Sequence, residues 1–270
     1  MIRGTSPEER NWVFNLISRF GAFIIAAISA AGAFAKFMWA IFLGIGTSIR
    51  RPSLVIEQLH FIGNHSLIII AVSGLFVGFV LGLQGYHTLS MYGSESSLGL
   101  VVSLALTREL GPVITALLFA GRAGTAITAE IGLMKSGEQL AAMDVMGINP
   151  INRIIVPRFW GGTIAMPILA AIFSSIGVIG GWVVGVVLID VDSGSFWSQM
   201  QSGTDIVHDI LNGVIKSFVF GVAVMLIALY EGWYSVPTPE GVAKATTHTV
   251  VKSSLCVLGL DFLLTAVMFT

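Results

Sequence analysis

The sequence predicts an all-α integral membrane protein, and three observations predict it. The 270-residue chain is 55% hydrophobic and only 11% charged, whereas soluble domains carry about 25% charge. Its apolar runs are long enough to cross ~30 Å of hydrocarbon at ~1.5 Å of rise per residue. One polar stretch, residues 135–158, interrupts them and resembles nothing else in the chain. The expected architecture is an amino-terminal interfacial or re-entrant helix followed by five transmembrane helices. A cytoplasmic helix joins the second and third spans, and a short helix on the outer side joins the third and fourth. Residues 1–270 form a single domain, with 1–60 as the amino-terminal segment and 61–270 as the five-span bundle.

Residues 1–20 are polar, with Arg3, Glu8, Glu9, Arg10 and Arg19, and residues 21–46 are apolar apart from Lys36. Arg50 and Arg51 follow. Basic residues at both ends of a run do not suit a full crossing, because Lys and Arg prefer the cytoplasmic side. A segment lying in the interface, or dipping in and returning, keeps both ends there, with Lys36 snorkelling. The first span is residues 66–86, where Gly74, Gly78 and Gly82 line one helix face and permit close backbone approach. The second is 98–121, kinked by Gly111-Pro112 because proline lacks a backbone donor and clashes with the preceding turn. A short amphipathic helix over 137–146 follows, capped by Ser136 and stopped by Gly147 and Pro150. The third span is 159–188, with glycines at 177, 181 and 185. In the acidic loop 189–209, Phe196, Trp197 and Met200 predict a short helix lying on the membrane. The fourth span, 210–230, carries Lys216, and the fifth, 249–269, carries Asp261.

Basic residues set the topology. Arg122, Lys135, Arg153 and Arg158 gather in and beside the second loop, and Lys244 and Lys252 in the fourth. The other two loops carry none, which places the 137–146 helix in the cytoplasm and the acidic loop outside.

Arg108 lies ten residues into the second span, half of the slab from Leu98, where a charge is costly and normally faces a bundle interior or a wet cavity. Arg108 and Glu109 point ~100° apart on a helix, so each needs its own partner. Asp261, at similar depth, is the expected partner of Arg108. Two readings stand: a buried pair that fixes helix register, or a polar floor for an outward-opening substrate cavity. The five histidines show no metal-ligand spacing, no nucleophile elbow occurs, and no GxxxxGK[ST] run is present to hold ATP phosphates. Driving energy therefore comes from elsewhere, and the cytoplasmic helix is a candidate plug for a groove on a soluble partner. The rival is an ion-coupled secondary transporter using Glu109 and Asp261, against which the lack of an inverted repeat counts.

The run LALTRELGPVITALLFAGRAGTAITAEIGLMKSGEQLAAMDVMGINP (104–150) resembles the signature region of the MlaE permease family. The likeness continues through VSGLFVGFVLGLQGY, PRFWGG and the ATTHTVVKSSLCVLGLDFLLTAVMF stretch. It implies the membrane subunit of a bacterial ABC system that moves phospholipids between inner and outer membranes and maintains outer-membrane lipid asymmetry. The expected assembly is a homodimer in the inner membrane of a Gram-negative cell. Its partners would be a cytoplasmic ABC ATPase that alone binds ATP, a small STAS-type protein and a hexameric periplasmic MCE-type lipid carrier. By position, an outward-facing lipid cavity would be lined by Leu81, Leu89, Tyr92, Arg108, Glu109 and Leu110. The coupling helix would meet the ATPase through Glu138, Gln139, Leu140, Met143, Asp144 and Met146. No catalytic residue, metal or cofactor is expected in the chain itself.

Overall fold

The computed structural model describes residues 7–46 and 51–268, which are helix and turn with no strand among them. Arg3 and Arg50 lie outside the described residues. The chain divides between Leu43 and Gly44 into two compact units.

The first unit is helix α1, Pro7–Leu43, 37 residues without a break. A continuous helix of ~55 Å has no turn at which to double back. The re-entrant alternative is therefore replaced by a single unbroken helix. Its Ser18–Leu43 portion is long and apolar enough to cross a membrane, so six helices meet that criterion rather than five.

The second unit begins with α2, Pro52–Ser90, whose first residue is a proline needing no intrahelical partner for its nitrogen. Its buried face is Ile62, Ser66, Ile70, Gly74, Gly78 and Gly82, a repeat of four along one stripe. That stripe receives α5, Ile151–Leu188. A Cβ on Gly74 would lie 2.7 Å from the Phe173 carbonyl oxygen, and one on Gly82 2.9 Å from that of Gly181. On Gly78 it would overlap the Gly177 backbone outright. The two glycine ladders thus interlock, leaving main chain against main chain.

Helix α3 runs over Glu95–Ser136 and widens to π-helical geometry at Ala105–Leu110 and Ala120–Gly124. It ends at Gly137, and α4, Gln139–Val145, follows. Ser136 does not cap α4: its hydroxyl donates back to the Leu133 carbonyl at 3.0 Å. Glu138 enters the helix instead, with a left-handed φ of 56°. The end is as expected, because Gly147 takes φ 74° and the Gly147 and Ile148 amides bond to the Asp144 and Met143 carbonyls.

Helix α6, Ser193–Gly203, is capped by Asp192, whose carboxylate accepts from the Ser195 amide at 2.6 Å. Phe196 is fully buried and α6 backbone presses on Gly99, so this helix clamps the start of α3. Helices α7, Ile206–Trp233, and α8, Pro239–Met268, complete the unit. Spans read from hydropathy were shorter than the helices, because polar residues end a membrane crossing without ending a helix.

The end of the unit that leads into α4 is tied by polar contacts between helices. Arg158, buried on α5, pairs with Glu130 of α3 at 2.6 Å. Lys135 donates to the Trp233 and Ser235 carbonyls at 2.8 and 2.9 Å, placing a cation at the negative end of α7. The Thr128 hydroxyl meets the Ala228 carbonyl and the Thr249 hydroxyl, joining α3, α7 and α8.

Candidate functional site

The ionic site grows from the break in α3. Pro112 has no N–H, so it cannot bond the Arg108 carbonyl one turn back. The ladder loosens into a π turn in which the Gly111 amide reaches Leu106. The Thr107 and Arg108 carbonyls lose their intrahelical partners and face α7, while the Leu106 carbonyl takes a second bond from α5. Leu106 accepts from the Ser174 hydroxyl of α5 at 3.1 Å. The Thr107 oxygen abuts Gly213 of α7, where a Cβ would collide with it. Arg108 accepts through its carbonyl from the Lys216 ammonium at 3.2 Å.

The side chains diverge as the helix dictates. The Arg108 Nε donates to Asp209 Oδ1 at 2.6 Å. Glu109 turns to Lys216, whose Nζ donates to Oε2 at 2.7 Å and to the Thr265 hydroxyl at 2.8 Å. Thr265 donates in turn to Glu109 Oε1 at 3.2 Å. Asp261 of α8 approaches Lys216 to 2.6 Å as an ion pair, off the hydrogen-bonding direction. The expected Arg108–Asp261 pair is therefore corrected. Asp209 holds Arg108, since α7 starts at Ile206 and carries Asp209 down to that depth, while Asp261 serves Lys216.

Asp209 and Lys216 are buried at the back of the node, with side chains 1% and 0% exposed. Arg108, Glu109 and Asp261 retain 37%, 39% and 23% exposure and form its open face. The node braces three helices at its buried rear and leaves one guanidinium and two carboxylates exposed at its front.

Leu81, Leu89 and Tyr92 fall between the node and the end of the unit that carries α6. Leu98 packs on Gly85 and Gly185, and Gly82 meets Gly181, whose other side meets Val102. Leu81 therefore sits roughly a turn and a half above Arg108 along α3, while Leu89 and the exposed Tyr92 lie higher still. Leu110 is half-buried beside the break. On and beside α4, Glu138, Gln139 and Asp144 are exposed, Met146 is 65% exposed and Met143 half-buried. Leu140 is buried against its own chain, whereas Val145 is 89% exposed.

Sequence reasoning missed Asp209, Lys216 and Thr265 as members of the site. Lys216 was visible as an intramembrane charge. The missing step was that two acids at one depth demand a cation there. Asp209 was hidden by its reading as loop.

A broken helix carrying braced charges at mid-depth, within a unit of five long apolar helices, defines a polytopic membrane protein of the transport kind. The comparisons make it particular. Residues 55–267 match the family model described as Permease MlaE, and the chain belongs to that family. It is 52% identical over 257 residues to a Haemophilus influenzae protein named as the intermembrane phospholipid transport system permease protein MlaE, covering 95% of this chain and 98% of that one. It is 38% identical to a probable ABC transporter permease protein of Rickettsia conorii, covering 95% and 99%. The chloroplastic protein trigalactosyldiacylglycerol 1 of Arabidopsis thaliana is 33% identical, covering 79% of this chain and 61% of its own length.

Proposed function

We propose that this chain is the permease subunit of an ABC transporter that moves phospholipid between the inner and outer membranes of a Gram-negative cell, sustaining outer-membrane lipid asymmetry. The observation that carries the reading is the ionic node on α3, the helix whose cytoplasmic continuation leads straight into α4. The permease works as a homodimer in the inner membrane, with α1 at the cytoplasmic interface and α2, α3, α5, α7 and α8 as the five spans. Lipid sits in an outward-facing cavity lined by Leu81, Leu89, Tyr92, Arg108, Glu109 and Leu110. ATP is bound and hydrolysed by a cytoplasmic partner, accompanied by a STAS-type protein, and a hexameric MCE-type carrier exchanges lipid on the periplasmic side.

The chain's part is mechanical. When the ATPase subunits close, they carry α4 through Val145, Met146, Glu138 and Asp144. Leu140 passes that motion to the bundle, and the broken turn at Ala105–Leu110 is where α3 yields. Val145→Asp and Glu138→Lys test the assignment in proteoliposomes containing the whole complex. Lipid transfer is expected to fall several-fold while ATP hydrolysis continues. Normal transfer by both variants removes the coupling role. The ion-coupled alternative draws on the two carboxylates at Lys216, and transport that persists after ATP depletion at a constant proton gradient would favour it.

A further inference from the structure

A second polar cleft lies at the opposite end of the unit from the open face of the node. It is about 200 Å³ in volume and sits between the start of α2 and the start of α5, with Arg51, Arg153, Asn149 and Asn152 in its wall. Neither arginine makes an ion pair among the described residues. No carboxylate lines the cleft; Asp144 belongs to the neighbouring one on the other side of the 147–151 turn. Asn149 spends its carbonyl oxygen on the Ile151 and Asn152 amides, at 2.9 and 3.4 Å, leaving its NH₂ to donate. The first turn of α2 has no side-chain cap and no acid, so its amides add to the same positive field. The cleft therefore offers two guanidiniums and amide donors with no anion of its own to meet them.

The surroundings select the kind of anion. On α5, Trp160 and Trp182 stand ~33 Å apart along the helix, close to the thickness of the hydrocarbon, with both indole nitrogens buried inside the unit. Arg153 lies seven residues, ~10 Å, beyond Trp160 on the cytoplasmic side, within the reach of a snorkelling arginine to headgroup depth. Ile56 and Phe61, on α2 beyond Arg51, are 62% and 45% exposed, giving apolar surface beside the cationic cleft. A soluble anion has no use for that surface; the acyl chains of a lipid do.

We infer that the Arg51–Arg153 cleft binds the phosphodiester headgroup of an anionic phospholipid in the cytoplasmic leaflet, a lipid site separate from the outward cavity. It depends on the membrane orientation of the unit and not on the transport reading.

The test compares the full chain with an Arg51→Gln/Arg153→Gln double variant, each purified with its partners from membranes and exchanged into nanodiscs. The discs contain phosphatidylglycerol and phosphatidylethanolamine in equal parts, and retained lipid is measured by native mass spectrometry. Two exposed arginines at a membrane surface predict a drop in phosphatidylglycerol retention on the order of tenfold or more, with phosphatidylethanolamine little changed. An Arg51→Lys/Arg153→Lys variant should recover part of it, because charge remains while the bidentate fork is lost. Equal thermal midpoints check that all three are folded; both arginines are exposed, so no folding loss is expected. Unchanged retention in the Gln variant overturns the site. So does displacement of the lipid by millimolar inorganic phosphate, which marks a soluble-anion site. Loss of ATPase co-purification with lipid retention intact overturns it too, in favour of a protein contact.

Discussion

Lys216 is the residue on which the node turns. It is wholly buried and faces two carboxylates, a threonine hydroxyl and the carbonyl that Pro112 leaves unpaired. Removing one partner of a buried ionic group leaves the others desolvated and unmatched, a loss of about 3–5 kcal/mol. Lys216→Met should therefore unfold or fail to accumulate, read by thermal midpoint in detergent, whereas Glu109→Gln should lose far less because Asp261 still serves the ammonium. Equal losses in the two variants would show that the node does not depend on its cation. Asp205 gives a pH-dependent case outside the span. The Val207 and His208 amides donate to its carboxylate and hold it below the usual aspartate range. A folded pKa lowered in this way adds stability above the unfolded value of ~3.9, lost as pH falls through the folded value. An Asp205→Ala variant should thus melt below the parent at neutral pH, and the gap should close in acid. At this scale the sequence revealed charge and depth but not pairing. Arg108, Glu109, Lys216 and Asp261 could each be located along a span, while their azimuths and the start of α7 were needed to decide who meets whom.

The elements show why glycine spacing was informative and incomplete. Both ladders were visible as four-residue repeats, each consistent with close packing. What a repeat cannot name is its partner, and here each ladder is the other's. For Gly74, Gly78 and Gly82 the close approach is to α5. A methyl group separates a packed glycine from an open one sharply. At Gly78 it would strike the Gly177 backbone, which has nowhere to move, so Gly78→Ala should destabilise the unit by at least 1–3 kcal/mol, as overpacking does. At Gly63, on the same helix, a Cβ meets nothing within 4 Å, and Gly63→Ala should gain about 0.5–1 kcal/mol from helix propensity. Denaturation of the two variants in one detergent checks the pair, and a ranking in the other order would mean that the α2–α5 seam is not the packed contact described. The break in the hydrogen-bond ladder was legible for a similarly local reason, since Pro112 cannot donate to the turn before it. The helix over 137–146 was legible too, down to the glycine that ends it. Its cap and its buried Leu140 were not, because both depend on how α4 lies against its own chain.

For the whole molecule, the proposed coupling requires that a push at α4 reach a node ~40 Å away along α3, counted from Ser136 to Arg108. A helix transmits displacement along its axis only if it is held laterally near the end where the push enters. Three contacts hold it: Glu130 to Arg158, Thr128 to α7 and α8, and Lys135 to carbonyls at and just beyond the end of α7. Between these ties and the node lies the second π turn, Ala120–Gly124, where α3 has its remaining compliance. Loosening the lower tie should let α4 move without moving the node. Lys135→Met removes the bond to Trp233 at the end of α7 and the bond to Ser235 just beyond it while keeping the aliphatic stem, so the unit should remain folded. In the reconstituted complex, ATP hydrolysis is expected to stay within about twofold of the parent. Lipid moved per ATP hydrolysed should fall several-fold, since a free lever still lets the motor turn over. A ratio equal to the parent's would mean that force enters the bundle by another route, with α7 rather than α3 the first to be driven.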